Sequence, residues 1–191
     1  MAWEDTFGVD ASAEARSEAV EIVGANLRLT GSLSLGRFGR LTDLINASSG
    51  YLRVRDAQLR KRNGQPTSLT LPEMMIDQDE IEFIAQNHAD RPEPGSAIGY
   101  IEPVFDATIE ARRPRPFVMF TPGHTLTGNV HIFGQTDLAG FVDSTDPRFV
   151  PVTEVTARSL ADVRIVDRYD FVLINRTQMI AVAEGDGQAS S

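Results

Sequence analysis

A chain of 191 residues with 27 acidic and 18 basic side chains carries a net charge of −9, and an acidic surface repels phosphate backbones, which disfavours nucleic acid as a partner. Cysteine is absent, which excludes a disulfide framework and thiol chemistry, and only three histidines are available for metal or acid–base sites. No apolar run approaches membrane-spanning length, and the polar, acidic start lacks the charged-then-apolar order of a signal peptide, so a soluble cytoplasmic protein with no membrane partner is expected.

Residues 1–17 read as an acidic N-terminal tail in which Ala11 to Ala19 has the composition of a short helix. A first β-rich unit follows over residues 18–86. It opens with a strand at Val20 to Val23 and a Gly24-Ala25-Asn26 turn. Leu27, Leu29, Gly31, Leu33 and Leu35 then share one parity and Asn26, Arg28, Thr30, Ser32 and Ser34 the other, the pattern of a half-buried strand. A glycine at the buried position of Gly31 predicts a sharp bend or the close approach of another backbone. After the loop Gly36 to Gly39, Leu41, Leu44 and Ile45 are spaced i, i+3, i+4, which predicts a short helix over Arg40 to Asn46 lying apolar side down on the sheet, with Asn46 suited to end it.

Tyr51 to Arg60 reads as a strand with Leu52 and Val54 inward. Its apolar phase then slips to Ala57 and Leu59, which predicts a β-bulge at Asp56. Arg60 to Pro66 is a turn by composition. Beyond it, strand character resumes near Thr67. Met74 to Ile76 and Ile81 to Ile84 read as two short strands joined by the polar tetrad Asp77-Gln78-Asp79-Glu80, expected to be a solvated turn. Residues 87–116 read as a linker with an extra strand at Ser96 to Val104, residues 117–184 as a second β-rich unit, and residues 185–191 as a C-terminal tail.

The second unit repeats the order of the first. An offset of 97 lays Leu29-Thr30-Gly31 on Leu126-Thr127-Gly128, and Leu41, Leu44 and Ile45 on Leu138, Phe141 and Val142. After one inserted residue, an offset of 98 lays Leu52 and Val54 on Val150 and Val152, and Ile76 and Ile81 on Ile174 and Met179. The phase slip at Asp56 recurs at Glu154. The expected fold is therefore mainly β: two tandem small β-barrel or rolled-sheet repeats, each with one short helix, packed as a pseudo-dimer. Glycines at matched strand positions suit the curvature of such sheets.

The residues point to no catalytic group and no cofactor. His124 and His131 lie seven apart on one predicted strand and so face opposite ways, while His88 falls in the linker, which leaves no metal site. The acidic tetrad lacks the glycine and distal glutamate of a calcium loop, and no phosphate loop, nucleophile elbow or dinucleotide fingerprint occurs. Binding candidates are Asp43 and Asn46, which flank the first short helix. The second unit has Gly140 and Asp143 in their places, so at most one unit holds such a site. Tyr51, Arg53 and Arg55 share the outward face of one strand beside Arg60, Lys61 and Arg62 and form a phosphate- or acid-facing surface.

The strand with Leu29-Thr30-Gly31, the segment Arg40-Leu41-Thr42-Asp43-Leu44-Ile45-Asn46 and the paired apolar ending Ile76…Ile81 resemble an uncharacterised bacterial family with a G-x-L strand and an R-L-x-D-x-x-N segment, a resemblance that implies no activity. More distantly, the strand, turn and L-x-G strand with a paired apolar ending look like the Sm-like barrel. That resemblance implies a strongly bent five-strand sheet, ring assembly and often RNA binding. The helical segment between Leu35 and Tyr51 stands where that family has a short loop, and the RNA-contacting motif is not recognisable, so the likeness carries the small barrel rather than RNA.

Units of about 70 residues bury limited core, so they are expected to pack on each other or on another chain, and a homo-oligomer is one way to do so. The functional expectation is a non-enzymatic binding or assembly module with a protein or small-molecule partner. The alternatives are an Sm-like RNA-binding protein and an enzyme with a pocket between the two units.

Overall fold

The computed structural model describes residues 16–61, 63–86, 113–132, 137–144 and 146–185. The first half contains strands β1 (Ser17–Val23), β2 (Arg28–Ser34), β3 (Tyr51–Arg60), β4 (Pro66–Asp77) and β5 (Phe83–Gln86), with helix α1 (Leu41–Ala47) between β2 and β3. The second half contains β6 (Arg113–Phe120), β7 (His124–Ile132), β8 (Phe149–Ser159), β9 (Val166–Asn175) and β10 (Ala181–Glu184), with α2 (Leu138–Asp143) between β7 and β8. A 3-10 turn joins β4 to β5 at Gln78–Glu80 and another joins β9 to β10 at Arg176–Gln178.

Among the described residues all strands belong to one ten-stranded sheet in the order β10-β6-β7-β8-β9-β5-β1-β2-β3-β4, and every pairing is antiparallel. The expectation of small closed barrels is thereby corrected. To close, each half would have to pair its last short strand with its own long fourth strand. Instead β5 pairs with β9 of the other half, Phe83 opposite Ile174, Ile84 opposite Leu173 and Ala85 opposite Val172. Among the described residues β4 and β10 are the two outer edges.

Matched pairings occur in the two halves. Val20 faces Gly31 as Phe117 faces Gly128, Val23 faces Phe83 as Phe120 faces Ala181, and Tyr51 faces Asp77 as Phe149 faces Asn175. The bulges fall where the alternation breaks. Asp56 and Glu154 have φ of 50° and 54°, the left-handed region, and the β2–β3 and β7–β8 registers each shift by one residue opposite them. Gly31 and Gly128 lie under those bulges. A Cβ on Gly31 would stand 2.5 Å from Val54 Cγ1 and 2.7 Å from the Arg55 carbonyl oxygen, and one on Gly128 would stand 3.0 Å from the Thr153 carbonyl oxygen. The close backbone approach expected from the sequence is what excludes a side chain there.

Several boundaries differ from the sequence reading. Ser17 to Ala19 belong to β1 rather than to a helix, because their pairing with Ser32 to Ser34 satisfies their backbone in the sheet. β4 is one strand of 12 residues, and β6 begins inside the stretch read as linker. The extra strand at Ser96 to Val104 lies outside the described residues. Asn46 sits within α1 rather than ending it. Its amide donates to the Thr42 carbonyl at 3.2 Å, and the extended residue that follows the helix is Ser48.

Two apolar clusters fill the interior, and each borrows from the other half. The first gathers Leu29, Leu33, Leu41, Ile45, Leu52 and Val54 with Phe149 and Leu173. The second gathers Phe117, Leu126, Phe141 and Val152 with Val23, Phe83 and Ala85. The β5–β9 seam is therefore packed as core as well as paired as sheet. Burying a side chain such as Phe149 is worth roughly 1.5–3 kcal/mol, so this exchange binds the halves together.

Candidate functional site

Tyr51, Arg53 and Arg55 do come together. They line a concavity of about 330 Å³ beside α1, with Leu33, Leu44 and Leu52 as its apolar wall and Ser34 and Ser48 at its rim. Arg53 Nε donates to Glu73 on the neighbouring strand at 2.6 Å, and that bond raises its already high pKa. The Arg55 side chain makes no hydrogen bond or ion pair with the described residues. In the other half the positions of Arg53 and Arg55 are held by Pro151 and Thr153, so the basic face belongs to the first half alone. Of the neighbouring basic residues, Arg60 is turned to Thr30 and to the Gly64 carbonyl.

Asp43 and Asn46 do not share a site. Asp43 is exposed in the first turn of α1. Asn46 reaches across the seam. Its Nδ2 donates to the Phe149 carbonyl at 3.0 Å, and its Oδ1 accepts the Phe149 N–H at 2.8 Å. One amide thereby satisfies both backbone groups at the start of β8, something no charged side chain of that length can do.

The seam holds the polar residues that sequence reasoning missed. Glu82, fully buried, accepts from Thr121 Oγ1 at 2.8 Å, from the Gly123 N–H at 2.6 Å and from His124 Nδ1 at 2.6 Å. Nearby, Arg28 donates to Glu21 at 2.6 Å and to Asp167 at 2.8 Å, and Tyr169 donates to Glu21 at 3.2 Å. Burial opposes the Arg28 charge, but the bonds to Asp167 and Glu21 outweigh it and raise its pKa. Burial, followed by the charge of Glu21, raises the pKa of the Tyr169 phenol, which stays a donor.

The acidic tetrad also touches the seam: Asp79 and Glu80 are exposed, as a solvated turn requires, but Gln78 is not. Gln78 is fully buried, its carbonyl accepting from Asn175 Nδ2 at 2.9 Å, and Asp79 pairs with Arg148. The sequence did carry one signal of this. Glu82 is a lone acid between Ile81 and Phe83, which are both buried, and an acid in an apolar run needs a partner.

The outer edges are chemically unlike the seam. Tyr51, Leu69 and Met75 are exposed along the β3–β4 edge, and Phe120, Val142 and Ile180 around the β6–β10 edge. Pro66 and Pro72 fall on the even-numbered positions of β4, the parity whose backbone faces β3, as the Gln78 N–H does toward the Gly50 carbonyl, so neither proline removes an N–H from the outer edge.

Among the described residues no group of three metal-binding side chains converges, and no helix is long and apolar enough to cross a membrane. The concavity at the seam, lined by Val23 to Arg28, His124 and Ser159, has a volume of about 10 Å³, room for about one water. Compared with known proteins, the chain matches no protein family, no curated protein and no solved structure.

Proposed function

We propose that the chain is a non-enzymatic assembly module made of a duplicated β unit, and that its two outer edges pair head to tail with further copies of itself. One observation carries the reading: large apolar residues exposed on the outer edges occupy positions whose counterparts are buried at the seam. Tyr51 is 60% exposed and Met75 53%, whereas Phe149 and Leu173, 98 residues on, are both 0% exposed. On the other edge Phe120 and Ile180 are 38% and 70% exposed, whereas Val23 and Glu82 are buried. The seam joins a fourth strand to a fifth strand, and the edges left over are again a fourth strand and a fifth strand. They are complementary in kind, and exposed apolar edges of this sort mark association sites.

The seam supplies the register. Ile84 opposite Leu173 at the seam corresponds to Val182 opposite Met75 between copies, flanked by Ala181 opposite Ile76 and Ala183 opposite Met74. Such a heterologous contact repeats from copy to copy until it closes. Sedimentation velocity tests the reading. The wild type is expected to run heavier than its 20.9 kDa chain mass as concentration rises, Met75→Lys to remain monomeric, and Leu160→Lys, which changes an exposed residue on the β8–β9 connection, to behave as wild type. A wild type that stays monomeric to its solubility limit contradicts it.

A second reading is favoured by the concavity beside α1, where the Arg55 side chain has no partner among the described residues. A small phosphate- or carboxylate-bearing ligand fits its charge, and the arginine fork suits such groups. Calorimetric titration with inorganic phosphate tests it: heat that Arg55→Ala abolishes supports the reading, and equal heats from both proteins refute it. Single-stranded RNA on the same face demands steeply salt-dependent retention lost in Arg53→Glu, against the net charge of −9.

A further inference from the structure

Asp143 stands 97 residues after Asn46, at the C-terminal end of α2 as Asn46 stands near that of α1. If copies pair as proposed above, on which this inference rests, the residue that Asp143 meets is Tyr51 of the next copy, because Tyr51 is the counterpart of Phe149. At the seam one amide donates to the Phe149 carbonyl and accepts from its N–H. A carboxylate in the same place accepts the Tyr51 N–H and turns a second lone-pair-bearing oxygen toward the Tyr51 carbonyl, where it has no proton to offer. Gln78 and Asn175, which also meet across the seam, correspond to Arg176 and Asp77, a polar pair, but most of the seam's other polar contacts have no counterpart at the outer junction. Ile180 replaces Glu82, Thr125 replaces Arg28, and Leu69 replaces Asp167. Arg148 and Asp79, which pair across the seam, correspond to Gly50 and Thr177.

We propose that Asp143 is the residue that keeps the outer junction weaker than the seam and therefore reversible: it takes the place of Asn46 against the Tyr51 backbone of a second copy but satisfies only one of the two groups there. The seam is a permanent joint and the outer junction an exchangeable one built on the same plan. The cations and anions around Asp143 do not change this assignment. Arg176 already donates to the Phe141 carbonyl at the end of α2 and lies 4.4 Å from the centre of the Phe141 ring. Asp137 caps the start of α2 on the Gly140 N–H. On the incoming edge Arg53 is held by Glu73.

The test compares dissociation constants for self-association of wild type, Asp143→Asn and Asp143→Ala at neutral pH, with folding checked by circular dichroism. Neutral pH matters because the isoelectric point is about 4.8, and acid brings generic association near it. Asp143→Asn restores the donor, and one recovered hydrogen bond is worth about tenfold in affinity. Asp143→Ala removes the opposed lone pairs without adding a bond and is expected to fall between. Wild type and Asp143→Asn associating with equal affinity overturns the role of Asp143 while leaving the assembly reading intact. If no form associates, the assembly reading fails and this inference with it.

Discussion

Replacing Asn46 by alanine is predicted to loosen the seam rather than to abolish a binding site. The side chain makes two bonds to Phe149, at 3.0 and 2.8 Å, plus one to the Thr42 carbonyl at 3.2 Å. Phe149 is fully buried within the core of the first half, so water reaches its freed backbone groups poorly. Two lost bonds at about 1 kcal/mol each, with roughly another 1 kcal/mol for a group left unpaired, give a loss of about 3 kcal/mol. At about 2–4 °C per kcal/mol for a chain of this size, the melting temperature falls by about 6–12 °C. The internal control is Asp43→Ala, an exposed change expected to lie within about 0.5 kcal/mol of wild type. Asn46→Asp, which keeps the acceptor but turns a second lone-pair-bearing oxygen on the Phe149 carbonyl, is expected to lose at least as much as Asn46→Ala. Thermal denaturation followed by circular dichroism reads all three. Equal melting of Asn46→Ala and Asp43→Ala refutes the assignment of Asn46 to the seam.

Gly31→Ala forces a Cβ to within 2.7 Å of the Arg55 carbonyl oxygen, a backbone atom that yields only if the bulge moves, so a loss of about 1–3 kcal/mol is expected in urea denaturation. Gly39→Ala, with nothing within 4 Å of the added carbon, is the matched control, and equal stabilities count against the close-approach argument. Glu82→Gln turns an acceptor of three bonds into a side chain whose amide faces existing donors; a loss of about 2 kcal/mol is expected by the same measurement, and unchanged stability contradicts the seam latch.

Local pattern made the strands and bulges legible. The parity of Leu29, Gly31 and Leu33 set the face of β2, and the slip at Asp56 was readable because one inserted residue reverses every side chain beyond it. The partner of β5 was not legible. Phe83-Ile84-Ala85 is apolar whichever strand lies beside it, and the pattern is the same for a closed barrel as for a seam with β9. The same limit explains Asn46, whose partner Phe149 lies 103 residues away. Near the chain's own helix end it reads as a cap, and only the long-range pairing reveals its use. Tyr51 and Arg55 were placed on one face by parity alone, but the apolar wall of their concavity required the position of α1.

The absence of cysteine from the chain makes the central claim directly measurable. With Met75→Cys and Val182→Cys in one molecule, the proposed register puts the two sulfurs on directly opposed strand positions of neighbouring copies, within the Cα separation of about 4.5–5.5 Å that a disulfide spans. Mild oxidation is then expected to give a ladder of covalent multimers on a non-reducing gel, while each single variant gives at most a dimer. A double variant that behaves like the single variants contradicts head-to-tail pairing of β4 with β10.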